Sequence, residues 1–169
     1  MNKKKKEINF WKKYFNFPGG LIAIPPAIKH ISFNCTDVDD EDLAYLVSRI
    51  KTIETLDLEL TQISNYGIKE IATLQGLKEL KLKDNYPIDN NCIPDLNTIT
   101  SLEVLHLGYT SVTIDGLLQL TALTHLKRLL FSMESIEGMQ LKMLQLQAFL
   151  PHCELVINSK LFVFDTKTI

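Results

Sequence analysis

Cysteine is scarce, with three residues in 169. Cys35, Cys92 and Cys153 are odd in number and scattered, which argues against a disulfide framework and for a reducing, cytoplasmic setting. Each reads as a small buried filler. Neither charge dominates: 18 Lys and Arg stand against 20 Asp and Glu, a net charge of −2. The basic surplus of a general nucleic-acid binder is missing, so no nucleic-acid partner is expected. No run of about 18 apolar residues could form a membrane span. The basic start Lys3–Lys6 is broken at once by Glu7 and Asn9, so no export signal is expected.

Chemistry is equally thin. There is no Gly-x-Gly-x-x-Gly, no phosphate-binding loop, no Gly-x-Ser-x-Gly and no His-x-x-x-His. His30, His106, His125 and His152 lie far apart along the chain. The acidic run Asp37, Asp39, Asp40, Glu41 and Asp42 lacks the glycine and distal glutamate of a calcium loop and suits a helix N-terminus instead. No enzyme, no metal site and no cofactor are expected.

Leucine and isoleucine are abundant, at 44 of 169 residues, and they recur with a period. The segments starting at Ile28, Ile53, Leu77, Leu102 and Leu126 each read apolar-x-x-apolar-x-apolar, at steps of 25, 24, 25 and 24. A sixth copy starts at His152. A polar residue follows each strand, at Thr36, Thr61, Asn85 and Thr110, with Glu134 off pattern. Apolar columns come next: Val38, Ile63, Ile88, Val112 and Ile136, then Leu43, Ile68, Ile93, Leu117 and Leu141, then Leu46, Ile71, Leu96, Leu120 and Leu144. Spacings such as 68, 71, 74 predict one face of a helix. Asp39, Ser64, Asp89 and Thr113 stand where N-caps belong.

Each unit is therefore expected to be a strand, a turn, a helix and a return. A unit of about 24 residues cannot bury its own apolar side, so the units must stack. Strands pair in parallel on one side and helices pack on the other. Helices are wider than the strand spacing of about 4.8 Å, so the stack curves, with the sheet on the concave face and helices on the convex face.

This pattern resembles the leucine-rich repeat family, in its ribonuclease-inhibitor-like and bacterial Thr-x-Ile-Thr-Asp-x-Gly-Leu subclass. The run Leu102 to Leu123 carries the likeness most fully, and Thr61-Gln-Ile-Ser-Asn-Tyr-Gly-Ile68 is similar. In the first unit Asp42 replaces the glycine, in the fourth Ile114-Asp115 reverses the usual order, and Pro87 and Glu134 disturb the third and fifth. The resemblance implies an α/β right-handed curved solenoid of five to six repeats over 28–157. It also implies a non-enzymatic module that binds a protein partner, or alternatively a dedicated inhibitor or immunity partner of an enzyme or toxin.

Residues 1–27 are expected to cap one end. Phe10, Trp11, Tyr14, Phe15 and Phe17 form an aromatic cluster of helical spacing flanked by lysines. It suits either an end plug or a membrane-surface helix. Residues 158–169 are expected to close the other end, with a strand over Leu161–Phe164.

Strand alternation places the third, fifth and seventh residues of each strand on the open face. The acidic zone there is Asp57, Glu59 and Glu79, and the basic zone is Lys81, Lys83 and Arg128, with His106 between. Val104, Leu130 and Tyr109 form a more apolar end. Asp57 with Lys81, and Glu59 with Lys83, could neutralise each other. Alternatively the face is a protein-binding surface with an apolar anchor.

Overall fold

The computed structural model describes residues 2–15 and 20–163. The chain forms a mixed α/β fold around an open seven-stranded sheet. Its elements are α1 (Lys3–Tyr14), β1 (Ala27–Ser32), α2 (Asp40–Arg49), β2 (Thr52–Asp57), α3 (Asn65–Ile71), β3 (Glu79–Lys81), α4 (Ile93–Leu96), β4 (Val104–Leu107), α5 (Ile114–Leu117), β5 (Arg128–Phe131), α6 (Gln140–Phe149), β6 (Glu154–Ile157) and β7 (Lys160–Leu161). The strands lie in chain order, the first six parallel and β7 antiparallel to β6. Register places Leu56, Leu80, Leu105, Leu129 and Leu155 side by side. Among the described residues no helix is long and apolar enough to cross a membrane.

The predicted columns form one core. Val38, Ile63, Ile88 and Val112 are buried, as are Leu43, Ile68, Ile93 and Leu117 and then Leu46, Ile71, Leu96 and Leu120. The helices are shorter than the spacing predicts: α4 and α5 are single turns. Beyond them the chain continues with i→i−3 bonds, from Leu74 to Ile71, Ile99 to Leu96 and Leu120 to Leu117. That is 3₁₀ geometry, in which every third residue eclipses the last. Leu74, Ile99 and Leu120 thus join the apolar columns through such a turn rather than through a longer α-helix.

All four predicted N-caps are present. Asp39, Ser64, Asp89 and Thr113 each accept a backbone N–H two or three residues on. Three of them are also tied to the unit before. Ser64 N–H donates to Asp40 Oδ1 at 2.8 Å, Asp89 N–H to Asn65 Oδ1 at 3.1 Å and Thr113 N–H to Asn90 Oδ1 at 2.9 Å. This explains two glycines. A Cβ on Gly67 would lie 2.5 Å from Asp40 Oδ1, and one on Gly116 would lie 2.1 Å from Asn90 Oδ1. At the same position Asp42 stands in the first unit and Cys92 in the third, the latter although Asn65 of the preceding unit bonds Asp89. The series stops at the reversed Ile114-Asp115, where the linking position is apolar and buried.

The polar residue after each strand closes the strand-to-helix turn. Thr36, Thr61 and Thr110 donate Oγ1–H to the carbonyls of Phe33, Leu58 and Leu107. Asn85 is fully buried. Its Nδ2 donates to the carbonyls of Leu58 at 2.7 Å and Leu82 at 2.9 Å, while its Oδ1 accepts from Thr61 N–H.

Three expectations fail. In the fifth unit Ile136, Leu141 and Leu144 are exposed, and Met143, Leu146 and Leu150 fill the core instead. Leu129 to Leu155 spans 26 residues against 24 for Leu105 to Leu129. The additional chain, turning through Gly138 at φ +73°, moves α6 on before it meets the core. Cys35 is exposed rather than buried. It occupies the left-handed turn after β1 (φ 57°), a position shared by Leu60, Asp84 and Tyr109, where the side chain leaves the core. Cys92 and Cys153 are buried as expected, and burial pushes both thiols up to about 12. The terminal strand is only Lys160–Leu161; Phe164 lies outside the described residues.

At the other end α1 buries Phe10 and Trp11, which pack against Phe15, Phe33 and Tyr45. Ion pairs of Lys6 with Glu41, Lys13 with Asp37 and Glu7 with Arg49 fasten it. These two rings are turned into the protein. Phe17 lies outside the described residues.

Candidate functional site

The strands carry the candidate residues because their alternation sends every second side chain away from the core. Register sets them in rows. One row is Thr55, Glu79, Val104, Arg128 and Glu154; the next is Asp57, Lys81, His106, Leu130 and Val156. A third is formed by Glu59, Lys83 and Gly108, linked through Leu60 N–H to Lys83 O and Asp84 N–H to Gly108 O. Eight of the nine predicted residues, Asp57, Glu59, Glu79, Lys81, Lys83, His106, Arg128 and Leu130, therefore stand on one face. Tyr109 lies at its rim, 53% exposed. Leu130 and Val104 are half-buried rather than projecting.

The charges pair differently from the simplest expectation. Lys81 lies 4.0 Å from Asp57 and 3.4 Å from Glu79, so the expected Asp57–Lys81 contact is long and shared. Lys83 does not pair with Glu59. It turns to Asp84 at 3.1 Å and lies 5.9 Å from the Tyr109 ring centroid, and the Asp84 carboxylate holds its ammonium above the ordinary lysine value. Asp84 stands at the left-handed turn next to Lys83, one residue away, whereas Glu59 is a full strand away and already engaged. Glu59 instead meets His106 Nδ1 at 3.0 Å across two strands, and Asn34 at 3.5 Å. Arg128 is held by Glu154, its Nε and Nη2 both donating to Oε2 at 2.8 and 2.6 Å.

Sequence reasoning passed over a further row at the strand entries. Lys29, Glu54, Lys78, Glu103 and Lys127 alternate in sign at the repeat period. Lys127 pairs with Glu103 at 2.5 Å and Lys78 with Glu54 at 4.0 Å. The signal was available in the second position of each strand motif. Sitting at the sheet's edge, with two lysine–glutamate pairs and Lys29 as a third lysine, this row stitches neighbouring strands together.

Among the described residues no group of three or more His, Cys, Asp or Glu is placed to hold a metal ion. The face is open, suited to contact over an area rather than to enclosing a small molecule. No protein-family model matches the chain, and no curated protein is similar to it.

Proposed function

We propose that the chain is a short leucine-rich-repeat solenoid of five to six units, its sheet on the concave side, and that it binds a protein partner through the polar face of that sheet. The observation that carries the reading is the stack of six parallel strands in chain order, whose outward side chains fall into in-register rows. The interlocked caps, the carbonyl-binding Thr and Asn residues and the continuous aliphatic columns support a stacked-repeat architecture. The role follows from stiffness. Side chains fixed by a hydrogen-bonded sheet and by mutual ion pairs lose little freedom on association, so more of the contact energy appears as affinity.

The test is affinity capture from the source cells with wild-type protein and with Asp57→Ala, Lys81→Ala, His106→Ala, Tyr109→Ala and Arg128→Ala in parallel, read by mass spectrometry. One partner should be depleted by at least one substitution, since a residue at the centre of an interface costs about 1 kcal/mol or more, roughly fivefold in affinity. An identical captured set for all five variants removes the face as the binding surface.

A further inference from the structure

The rows of the sheet are not equally balanced. At the strand entries lysine and glutamate alternate and two pairs form, Lys78 with Glu54 and Lys127 with Glu103, and at the far end Arg128 and Glu154 neutralise each other. The centre differs. Asp57, Glu59 and Glu79 sit on neighbouring strands around a single permanent cation, Lys81, which divides itself between Asp57 and Glu79. Lys83, the other lysine at hand, is committed to Asp84. Glu59 is bonded to the imidazole of His106 and the Asn34 amide, and feels Lys83 only as a nearby charge, without an ion pair. Asp57 and Glu59 are also poorly hydrated, with side chains 17% and 20% exposed. Half-buried carboxylates in excess attract an incoming cation more strongly than freely solvated ones do.

Three strands further along the Asp57 row the chemistry changes. Leu130 and Val156 are direct neighbours in register, and Val104 stands on the adjoining strand. All three are half-buried and apolar. Their exposed parts gain only by being covered.

We infer that this face takes an extended protein segment that lays a basic side chain over Asp57, Glu59 and Glu79 and an aliphatic side chain over Val104, Leu130 and Val156. The inference rests on the proposed role of the face as a binding surface and adds the chemistry of its partner. From β2 to β5 is three strand spacings, about 14 Å, which an extended chain covers in about four residues at roughly 3.4 Å each. Residues i and i+4 of such a chain project from the same side. The segment therefore carries arginine or lysine at one position and leucine, isoleucine or valine four away. An acidic or phosphate-bearing partner would meet three carboxylates and is disfavoured.

The test uses fluorescein-labelled twelve-residue peptides of Ser, Thr and Gly carrying one Arg and one Leu separated by one to six positions, with matched peptides carrying Glu for Arg. Binding to the full chain is read by fluorescence polarisation at low salt. The i,i+4 Arg–Leu peptide should bind about fivefold tighter than its neighbours in the series, and the Glu peptides should not bind. The Asp57→Asn, Glu79→Gln double variant should weaken it about tenfold. Lys81→Met should tighten it, because the acidic centre loses its one cation; this opposite sign guards against a variant that merely fails to fold. Equal binding of Arg and Glu peptides, no spacing preference, or no binding by any peptide overturns the inference. If the face substitutions still deplete a captured partner in that case, the binding surface stands and only its assigned chemistry falls.

Discussion

At the level of single residues the contacts between units make the sharpest demands. Gly116 is required by its neighbour rather than by its own backbone. The Asn90 amide accepts from Thr113 N–H at 2.9 Å and donates to Thr113 Oγ1 at 2.9 Å, and a Cβ on residue 116 would displace it. Gly116→Ala should cost about 1–3 kcal/mol in urea unfolding. In an Asn90→Ala background the same change should cost nothing or stabilise slightly, since alanine is the better helix former by about 1 kcal/mol. Equal cost in both backgrounds would show that the clash is not with Asn90. Asp42 gives a pH-dependent prediction. Burial first, and then Asp39 and Asp37, push its carboxyl up to about 6. A carboxyl whose folded pKa exceeds its unfolded value binds more protons when folded, so its contribution to stability declines as pH rises from about 4 to 6 and stays unfavourable above. Asp42→Asn should therefore raise the melting temperature at pH 7, with the gain shrinking to nothing below pH 4. A gain that is constant across this range would assign the effect to something other than titration.

At the level of elements, most strands, caps and core columns were legible because each rests on chemistry local to one unit. Apolar alternation marks β1 to β6, and Asp39, Ser64, Asp89 and Thr113 mark helix starts through side-chain oxygens that can reach only nearby N–H groups. Helix length was not legible: the spacing of three predicts a helix face reaching Leu74, Ile99 and Leu123, and the α-helices end one or two turns in. The pairing on the polar face was not legible, because a side chain such as His106 reaches past its register neighbour Lys81 to Glu59 two strands away. The fifth unit was only partly legible: the step of 26 from Leu126 to His152 and the off-pattern Glu134 mark additional chain, but not that it shifts α6 so that Met143 and Leu146 face the core. Its correction can be checked directly. Met143→Ala should cost about 2–4 kcal/mol. Leu141→Gln and Leu144→Gln, which read as core positions in sequence, should fall within about 0.5 kcal/mol of wild type. The reverse order would restore the sequence-based register and place α6 wrongly.

At the level of the whole molecule, every strand pairs only with its neighbours in sequence. Stability therefore passes from strand to strand, and opening must begin at an end, where one side has no partner. The two ends are built unequally. Before β1, the helix α1 drives Phe10 and Trp11 into the core and adds three ion pairs to the first unit and its helix. After β5, α6 follows Met139, which supplies no side-chain cap. It leaves Leu141, Leu144 and Phe149 in solvent, and the strand covering the edge of β6 is two residues long. Native-state hydrogen exchange should accordingly find the lowest protection in α6, β6 and β7 and the highest in β2 to β4, where each strand is flanked on both sides. Phe10→Ala with Trp11→Ala should invert this order by opening the α1–β1 end first, while leaving exchange in α6 and β6 close to its wild-type rate. Uniform protection from β1 to β6, with all strands exchanging together in both proteins, would mean that the sheet melts as one unit and that the unequal ends have no energetic consequence.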